Sequence, residues 1–113
     1  MKIVNSLKFK GDKMTRSEIY ASLGGLKRVE NMISDNGNFI PNQFILYYDN
    51  GKVFQSYSSI IAITLNHSSV VYLGENWDYS RTTNKYRNKF LNECKKETET
   101  KIKNGKYIIV GDI

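Results

Sequence analysis

The side chains that could carry out catalysis are few in this chain of 113 residues. His67 is the single histidine, and it lies beside Asn66, Ser68 and Ser69 in a predicted turn. A histidine beside a serine could act as the general base of a nucleophilic site. Neighbours in sequence do not supply the third group that orients such a base. We therefore expect His67 to be an exposed turn residue and the protein not to be an enzyme.

Metal, phosphate and cofactor sites have little support in the sequence. One histidine and one cysteine, Cys94, cannot form a structural zinc site within one chain. Gly24-Gly25 lacks the pattern of a phosphate-binding loop, although Lys27-Arg28 could bind an anion at the N-terminus of a following helix. We expect no metal and no cofactor. The acidic residues fall in different predicted loops: Asp35, Asp49, Glu75 and Asp78.

One segment combines aromatic, arginine and hydroxyl side chains at the point where a predicted strand is followed by a helix. Protein interfaces and stacked nucleotides use these side-chain types. In the alternative interpretation, Trp77 and Tyr79 pack over the sheet edge and the basic residues form a solvated helix face. The predicted binding residues are Trp77, Tyr79, Arg81, Lys85, Tyr86, Arg87 and Lys89.

The positive charge is concentrated in the last third of the chain. The span from Tyr79 to Lys106 contains nine Lys or Arg and three Glu, so its balance is 9 − 3 = +6, which equals the net charge of the protein. A partner selected by charge should therefore contact this span. A DNA mimic would be acidic, so a basic surface favours recognition of a protein by shape.

The hydrophobic pattern predicts one α+β domain over residues 1–113, in which an antiparallel meander of four to five strands carries helices on one face. Residues 1–40 form a helical N-terminal part, with Thr15 or Ser17 as the first cap. Within it, Leu26, Val29 and Ile33 follow one another at helical spacing.

The remaining elements follow from turn signals and periodicity. The β-meander is predicted at 43–74, with a hairpin at Asn50-Gly51 that pairs Asp49 with Lys52 and Tyr48 with Val53. A helical segment is predicted at 80–104, capped by Ser80 or Thr82, and a final strand at 106–110 joins the sheet. The apolar stripe of the helical segment is Tyr86, Phe90 and Cys94, which places Cys94 in the core.

Three stretches of the chain resemble a family of small proteins that carry a domain of unknown function. The first is residues 49–59 (DNGKVFQSYSS), the second is 72–91 (YLGENWDYSRTTNKYRNKFL), and the third is 96–107 (KETETKIKNGKY). The family occurs in phages and prophages of low-GC Gram-positive bacteria. The resemblance covers about residues 44–110 and leaves the first forty residues outside. It implies a mobile-element origin and an accessory role.

The expected function is that of a non-enzymatic phage accessory protein that inhibits a host defence system by binding a defence effector, as an anti-CRISPR protein does. The alternatives are a nucleic-acid-binding module that uses the basic segment 81–106 and a sponge for a nucleotide signal. The chain could form a homo-oligomer. No apolar run is long enough for a signal peptide or a membrane span, so the expected location is the cytoplasm of the host bacterial cell.

Overall fold

A six-stranded sheet forms the centre of the protein in the computed structural model, which describes residues 14–111 and 113. The part of the predicted helical region that falls on residues 1–13 lies outside the described residues. The elements, in chain order, are α1 (Arg16–Leu23), β1 (Leu26–Ile33), β2 (Phe39–Tyr48), β3 (Gly51–Ser56), β4 (Ser59–Leu65), β5 (Val71–Leu73), α2 (Arg81–Leu91), α3 (Lys95–Lys103) and β6 (Tyr107–Ile109).

The strands lie side by side in chain order, from β1 at one edge to β6 at the other. Successive strands from β1 to β5 pair antiparallel, and β6 pairs parallel with β5 after the two helices. The α+β class, the meander and the final strand are therefore confirmed. None of the helices in the described region has the length and apolar character needed to cross a bilayer.

The sheet buries a separate hydrophobic cluster on each face, because successive strand residues point to opposite sides. Phe54, Ala62 and Leu73 lie in the cluster that Tyr86 of α2 joins. Val53 and Ile63 lie in the other cluster, and that one is covered by α1 through the buried residues Ile19 and Leu23. Helices α2 and α3 pack on one face and α1 covers the opposite face, so the expectation that the helices lie on one face does not hold for α1.

Local sequence explains where α1 begins. Thr15 accepts a hydrogen bond from the Glu18 backbone N–H at 3.2 Å, and the Glu18 carboxylate accepts one from the Thr15 N–H at 2.8 Å. This reciprocal capping box satisfies two N–H groups that have no partner within the helix. Of the two predicted caps, Thr15 is the one that the structure uses.

The prediction of a helix at 26–33 is wrong, because these residues form β1. Leu26, Val29 and Ile33 have helical spacing, but each is at least half exposed, so they do not form a buried stripe. The Asp-Asn-Gly sequence at 35–37 joins β1 to β2 as a hairpin turn: Gly37 has φ +84°, and Ser34 N–H donates to the Asn38 carbonyl at 2.8 Å. Hairpin pairing to β2 therefore prevails over a weak local periodicity.

The predicted register of the next hairpin is also wrong. The structure pairs Tyr48 with Gly51 and Leu46 with Val53, so the turn residues are Asp49 and Asn50. Tertiary contacts explain the shift, because the Asp49 carboxylate accepts a hydrogen bond from Gly25 N–H at 2.8 Å. Gly51 lies within the strand, where a Cβ atom would overlap the Thr64 carbonyl of β4.

The helical segment at 80–104 is divided into α2 and α3 by Asn92, which adopts the left-handed conformation with φ 57° and ψ 50°. The placement of Cys94 in the core is therefore wrong. Cys94 is exposed at the N-cap of α3, because the chain turns at Asn92 before the stripe of α2 can continue. Phe90 remains on the inner side and stacks on Phe54, with 5.9 Å between ring centroids.

Candidate functional site: the tyrosine recess

A recess of about 480 Å³ lies between the β3–β4 turn and the N-terminus of α2. Tyr57 and Tyr79 line it, and they are 59% and 74% exposed. We call this site the tyrosine recess. Its lining residues are Ser56, Tyr57, Ser58, Ser59, Ile61, Asn76, Tyr79, Ser80 and Thr83.

Tyr57 is held at the recess by an unusual backbone conformation. It has φ +57°, and its N–H donates at 2.7 Å to the carbonyl of Asn42, which itself has φ +65°. The Tyr57 carbonyl accepts a hydrogen bond from the Gln55 amide at 2.8 Å. Tyrosine rarely adopts positive φ, and conformations of this kind cluster at functional sites.

Tyr79 is placed by the loop between β5 and α2. Its neighbour Ser80 caps α2 by accepting a hydrogen bond from Thr83 N–H at 3.2 Å. Its other neighbour, Asp78, accepts a hydrogen bond from Asn84 at 2.7 Å and pairs with Lys95 at 3.0 Å. Burial acts to raise the pKa of Asp78, but the hydrogen bonds from Lys95 and Asn84 outweigh it and leave the pKa lowered.

The floor of the recess is a chain of hydroxyl groups. The Ser80 hydroxyl donates to Thr83 Oγ1 at 3.1 Å, and Thr83 Oγ1 shares a hydrogen bond with Ser56 Oγ at 2.9 Å. Gln43 pairs with Ser56 across the strands and is fully buried, and neither polar atom of its amide has a hydrogen-bond partner among the described residues. The floor is thus a buried polar layer that joins the sheet to α2.

The lining offers hydrogen-bonding groups and aromatic rings. Six of its nine residues are Ser, Thr or Asn, two are Tyr and one is Ile. The only titratable groups among them are the two phenols. No group of three His, Cys, Asp or Glu that could hold a metal is found among the residues that the structure describes. This arrangement can bind a ligand through aromatic contact and neutral hydrogen bonds.

Of the seven predicted binding residues, Tyr79 is the one that lines the recess. Three others are buried or partly buried: Trp77 is partly buried against the core, Tyr86 is 3% exposed, and Arg87 is fully buried. Arg87 donates hydrogen bonds to the Trp77 carbonyl, to Asn84 Oδ1 at 3.2 Å and to Asn88 Oδ1 at 2.8 Å. Burial lowers the pKa of Arg87, and the charge of Asp78 acts in the opposite direction.

The remaining three, Arg81, Lys85 and Lys89, are exposed along one side of α2 as their spacing predicts. Lys89 pairs with Asp35 at 2.7 Å, which connects α2 to the β1–β2 turn. That hydrogen bond and the Lys89 charge hold the pKa of Asp35 below its ordinary value. Arg81 and Lys85 form no ion pair with any other residue in the described part of the chain.

The basic span is partly neutralised by the fold. Four of the nine bases in the span make contacts within the protein. Lys89, Lys95 and Lys101 form ion pairs, and Arg87 is buried. The other five are exposed and form no ion pair with residues of the described region: Arg81, Lys85, Lys96, Lys103 and Lys106.

Other residues considered for chemistry are separate from the recess. His67 is exposed in the turn after β4, as expected, and its side chain makes no hydrogen bond or ion pair to another described residue. The possible anion site after Gly24-Gly25 lacks the helix N-terminus that it requires, because Lys27-Arg28 belongs to β1.

Tyr57, Ser58 and Ser59 line the recess but were not among the predicted binding residues. Tyr57 and Ser58 form the tight turn between β3 and β4, and Ser59 is the first residue of β4. A bulky aromatic residue in a two-residue turn was the signal that could have found them, because turns usually contain Gly, Asn or Asp.

Comparison with family models gives a match over residues 27–106 to DUF8033, a family of unknown function. The match covers more than half of the chain, so the protein belongs to this family. It begins at Lys27, so the expectation that the first forty residues lie outside the family is wrong for residues 27–40. The comparison with curated proteins found no match, and neither did the comparison with solved structures.

Proposed function

We propose that this member of the DUF8033 family is a non-enzymatic binding protein that recognises a partner protein through the tyrosine recess. The observation that carries the proposal is the exposure of Tyr57 and Tyr79 beside a polar cavity. Exposed tyrosines provide a large contact area and a hydroxyl group while losing little side-chain entropy.

The rigidity of the recess supports recognition by shape. The Asn42 hydrogen bond restrains the Tyr57 backbone, and Arg87 and Ser80 restrain the loop that carries Tyr79. A preorganised surface pays less of the ordering cost when a partner binds. The neutral lining favours a partner that contributes an apolar or aromatic side chain together with neutral hydrogen-bonding groups.

The proposed biological role is inhibition of a host defence system, with the protein acting on a defence effector as an anti-CRISPR protein does. The resemblance to small phage and prophage proteins supports this role, because accessory proteins of mobile elements commonly act by binding. The proposed location is the cytoplasm of the bacterial host. In this role the recess would bind a part of the effector that has to move, or has to remain accessible, for the effector to work.

A plating assay tests this role. Bacteria that carry an active CRISPR or other defence system are challenged with a targeted phage, with and without this protein. We expect the wild-type protein to raise the efficiency of plating at least tenfold in one system of the panel, and Tyr57→Ala/Tyr79→Ala to lose the effect. Phe39→Ala is the matched control, because Phe39 is also 74% exposed but lies at the start of β2, away from the recess. Protection by the double variant equal to wild type contradicts the assignment of the site.

Site-specific crosslinking tests the binding proposal without assuming a defence system. A photoreactive benzoylphenylalanine is introduced in place of Tyr79 in one variant and in place of Phe39 in another, and both are irradiated in the bacterial host. We expect one discrete protein adduct from position 79 and none of the same mass from position 39. Equal patterns from both positions, or nucleic acid as the sole adduct, rule out a protein partner at the recess.

Nucleic-acid binding is the second candidate, and it is favoured by the five exposed bases of the span 81–106 that form no ion pair with a described residue. If these residues contact phosphates, affinity for DNA or RNA falls steeply with salt. The double variant Arg81→Ala/Lys85→Ala should then reduce the slope of log binding constant against log salt concentration by the amount expected for about two phosphate contacts. A gel shift that shows no binding at low ionic strength excludes this candidate. The proposal of a sponge for a nucleotide signal is tested by calorimetric titration with a panel of cyclic nucleotides, where an absence of heat excludes it.

A further inference from the structure

β1 is an open edge of the sheet. It pairs with β2 on one side, and no described strand lies on its other side. It is eight residues long, and its first five residues, 26–30, are all exposed. The edge strand at the other end, β6, has three residues. A long edge exposes backbone N–H and C=O groups that can pair with another strand.

The hairpin of β1 and β2 also carries most of the exposed apolar surface. Six large hydrophobic side chains of the described residues are at least half exposed, and two of them are the tyrosines of the recess. The other four lie on this hairpin: Leu26, Val29, Ile33 and Phe39. An exposed edge with apolar side chains is what proteins usually avoid unless a partner covers it.

The charges on β1 are arranged in a self-complementary order. Arg28 and Glu30 flank Val29 and lie on one face of the strand, with 3.7 Å between Arg28 Nη2 and Glu30 Oε2. Tyr47 of β2 orders both groups, because the Arg28 guanidinium lies 3.9 Å from its ring centroid and its hydroxyl donates to Glu30 at 3.1 Å. The pairing of β1 with β2 shifts register near both ends of β1, and between these shifts residues 28–31 pair regularly.

We infer that β1 pairs antiparallel with β1 of a second copy of this chain, about a two-fold axis at Val29. In that register Arg28 lies opposite Glu30 of the second copy, Glu30 lies opposite Arg28 of the second copy, and the two Val29 side chains meet. Opposite charges directly across a strand pair are stabilising, and like charges are destabilising. The two six-stranded sheets then form one continuous sheet.

The same charges exclude the neighbouring registers. In an antiparallel pair, two residues that lie directly opposite each other point to the same side of the sheet. A two-fold axis that joins two copies into one sheet must therefore pass through a residue and not between two residues. An axis at Arg28 would set the two Arg28 side chains against each other, and an axis at Glu30 would set the two carboxylates together. The axis at Val29 is therefore the one in which both ion pairs form. The inference is independent of the proposed function, because the tyrosine recess does not include β1.

Sedimentation velocity of the full-length protein over a range of concentrations tests the dimer. Edge pairing buries a small area, so we expect a weak, reversible dimer. Its population should rise with protein concentration and be detectable once the concentration reaches about 500 µM. Arg28→Glu and Glu30→Arg each place like charges opposite one another, and each should weaken dimerisation at least tenfold. Lys27→Glu is the matched control, since it makes the same charge change on the same strand opposite an uncharged Asn31, and it should retain the dimer.

Charge exchange provides the decisive measurement. The Arg28→Glu and Glu30→Arg proteins are each expected to be monomeric alone and to form a heterodimer when mixed, because both cross-strand pairs then become complementary. The double variant Arg28→Glu/Glu30→Arg should dimerise like the wild type. Circular dichroism confirms that each variant is folded. A wild-type protein that stays monomeric, single variants that dimerise normally, or a mixture that does not associate overturns the inference.

Discussion

The guanidinium of Arg87 donates a hydrogen bond to the backbone carbonyl of Trp77 and lies 5.2 Å from the centroid of the Trp77 ring. Both residues belong to the segment that the sequence marks as a binding surface. In the folded protein they connect α2 to the loop that carries Tyr79. Their chemistry thus serves to position the tyrosine recess rather than to contact a partner.

Arg87→Ala is expected to lower the free energy of unfolding by roughly 2–4 kcal/mol, because Asn84, Asn88 and the Trp77 carbonyl lose their buried donors. Urea unfolding followed by tryptophan fluorescence measures the change. Arg81→Ala, at an exposed position of the same helix, should change stability by less than about 0.5 kcal/mol. Equal effects of the two substitutions would contradict a structural role for Arg87.

Gln43→Met is expected to raise the free energy of unfolding by about 1 kcal/mol. The Gln43 side chain is fully buried and neither of its amide atoms has a hydrogen-bond partner in the part of the chain that the structure describes, so an apolar side chain of similar volume removes a desolvation cost. Thermal and urea unfolding provide the measurement. A loss of more than about 1 kcal/mol would show instead that the amide is satisfied, and the polar floor would need another account.

Glu93→Gln should destabilise the protein by roughly 2–3 kcal/mol at neutral pH. The Glu93 side chain is 3% exposed, and its carboxylate accepts hydrogen bonds from Thr98 at 2.6 Å, Lys101 at 2.7 Å and Tyr107 at 2.9 Å. Glu99→Gln, at an exposed position on α3, is the control and should cost less than about 0.5 kcal/mol. Urea unfolding compares the two variants.

The same cluster predicts a loss of stability in alkali. The hydrogen bond to Glu93 raises the pKa of Lys101 above its ordinary 10.5. Burial, followed by the hydrogen bond to Glu93, raises the pKa of Tyr107 above 10.0. Folded-state pKa values above the unfolded ones contribute stability that is complete below about pH 10 and is lost as the pH rises through them.

Urea unfolding at several values from about pH 8 to pH 11 measures this loss. Other buried tyrosines add to it, so the informative quantity is the difference between the wild type and Glu93→Gln. The variant should show a shallower decline. If the free energy of unfolding falls with pH equally steeply in the wild type and in Glu93→Gln, Glu93 is not the cause of the loss of stability in alkali.

Comparing Gly51→Ala with Gly37→Ala distinguishes the cost of a steric overlap, expected at Gly51, from the cost of a strained backbone, expected at Gly37. A Cβ at Gly51 would lie 2.7 Å from Leu23 Cδ2 and closer still to the Thr64 carbonyl, so we expect a loss of more than about 3 kcal/mol or a failure to fold. Gly37 has φ +84° and open space around it, so its cost should be about 1 kcal/mol. Thermal unfolding of the two variants gives the comparison, and the reverse order would refute the packing of β3 against β4.

The sequence by itself determined the features that depend on neighbours within a few residues. A hydroxyl cap was predicted at Thr15 or Ser17 and at Ser80 or Thr82, because a hydroxyl at that position satisfies a free backbone N–H, and the structure uses Thr15 and Ser80. The apolar runs of β3, β4 and β5, with turn residues between them, determined the meander and hence the α+β class. The exposed face of Arg81, Lys85 and Lys89 followed from helical spacing.

The tertiary structure decided what depends on contacts between distant residues. It made residues 26–33 a strand, because pairing with β2 fixes the backbone of this segment and the exposed Leu26, Val29 and Ile33 form no buried stripe that would stabilise a helix. It moved the 49–51 turn, since Gly25 binds Asp49 and the Thr64 carbonyl excludes a side chain at Gly51. It also placed Tyr57 and Tyr79, which are 22 residues apart in the sequence, on the lining of one recess. Local patterns carry no information about such distances, because they arise only when the sheet and α2 pack together.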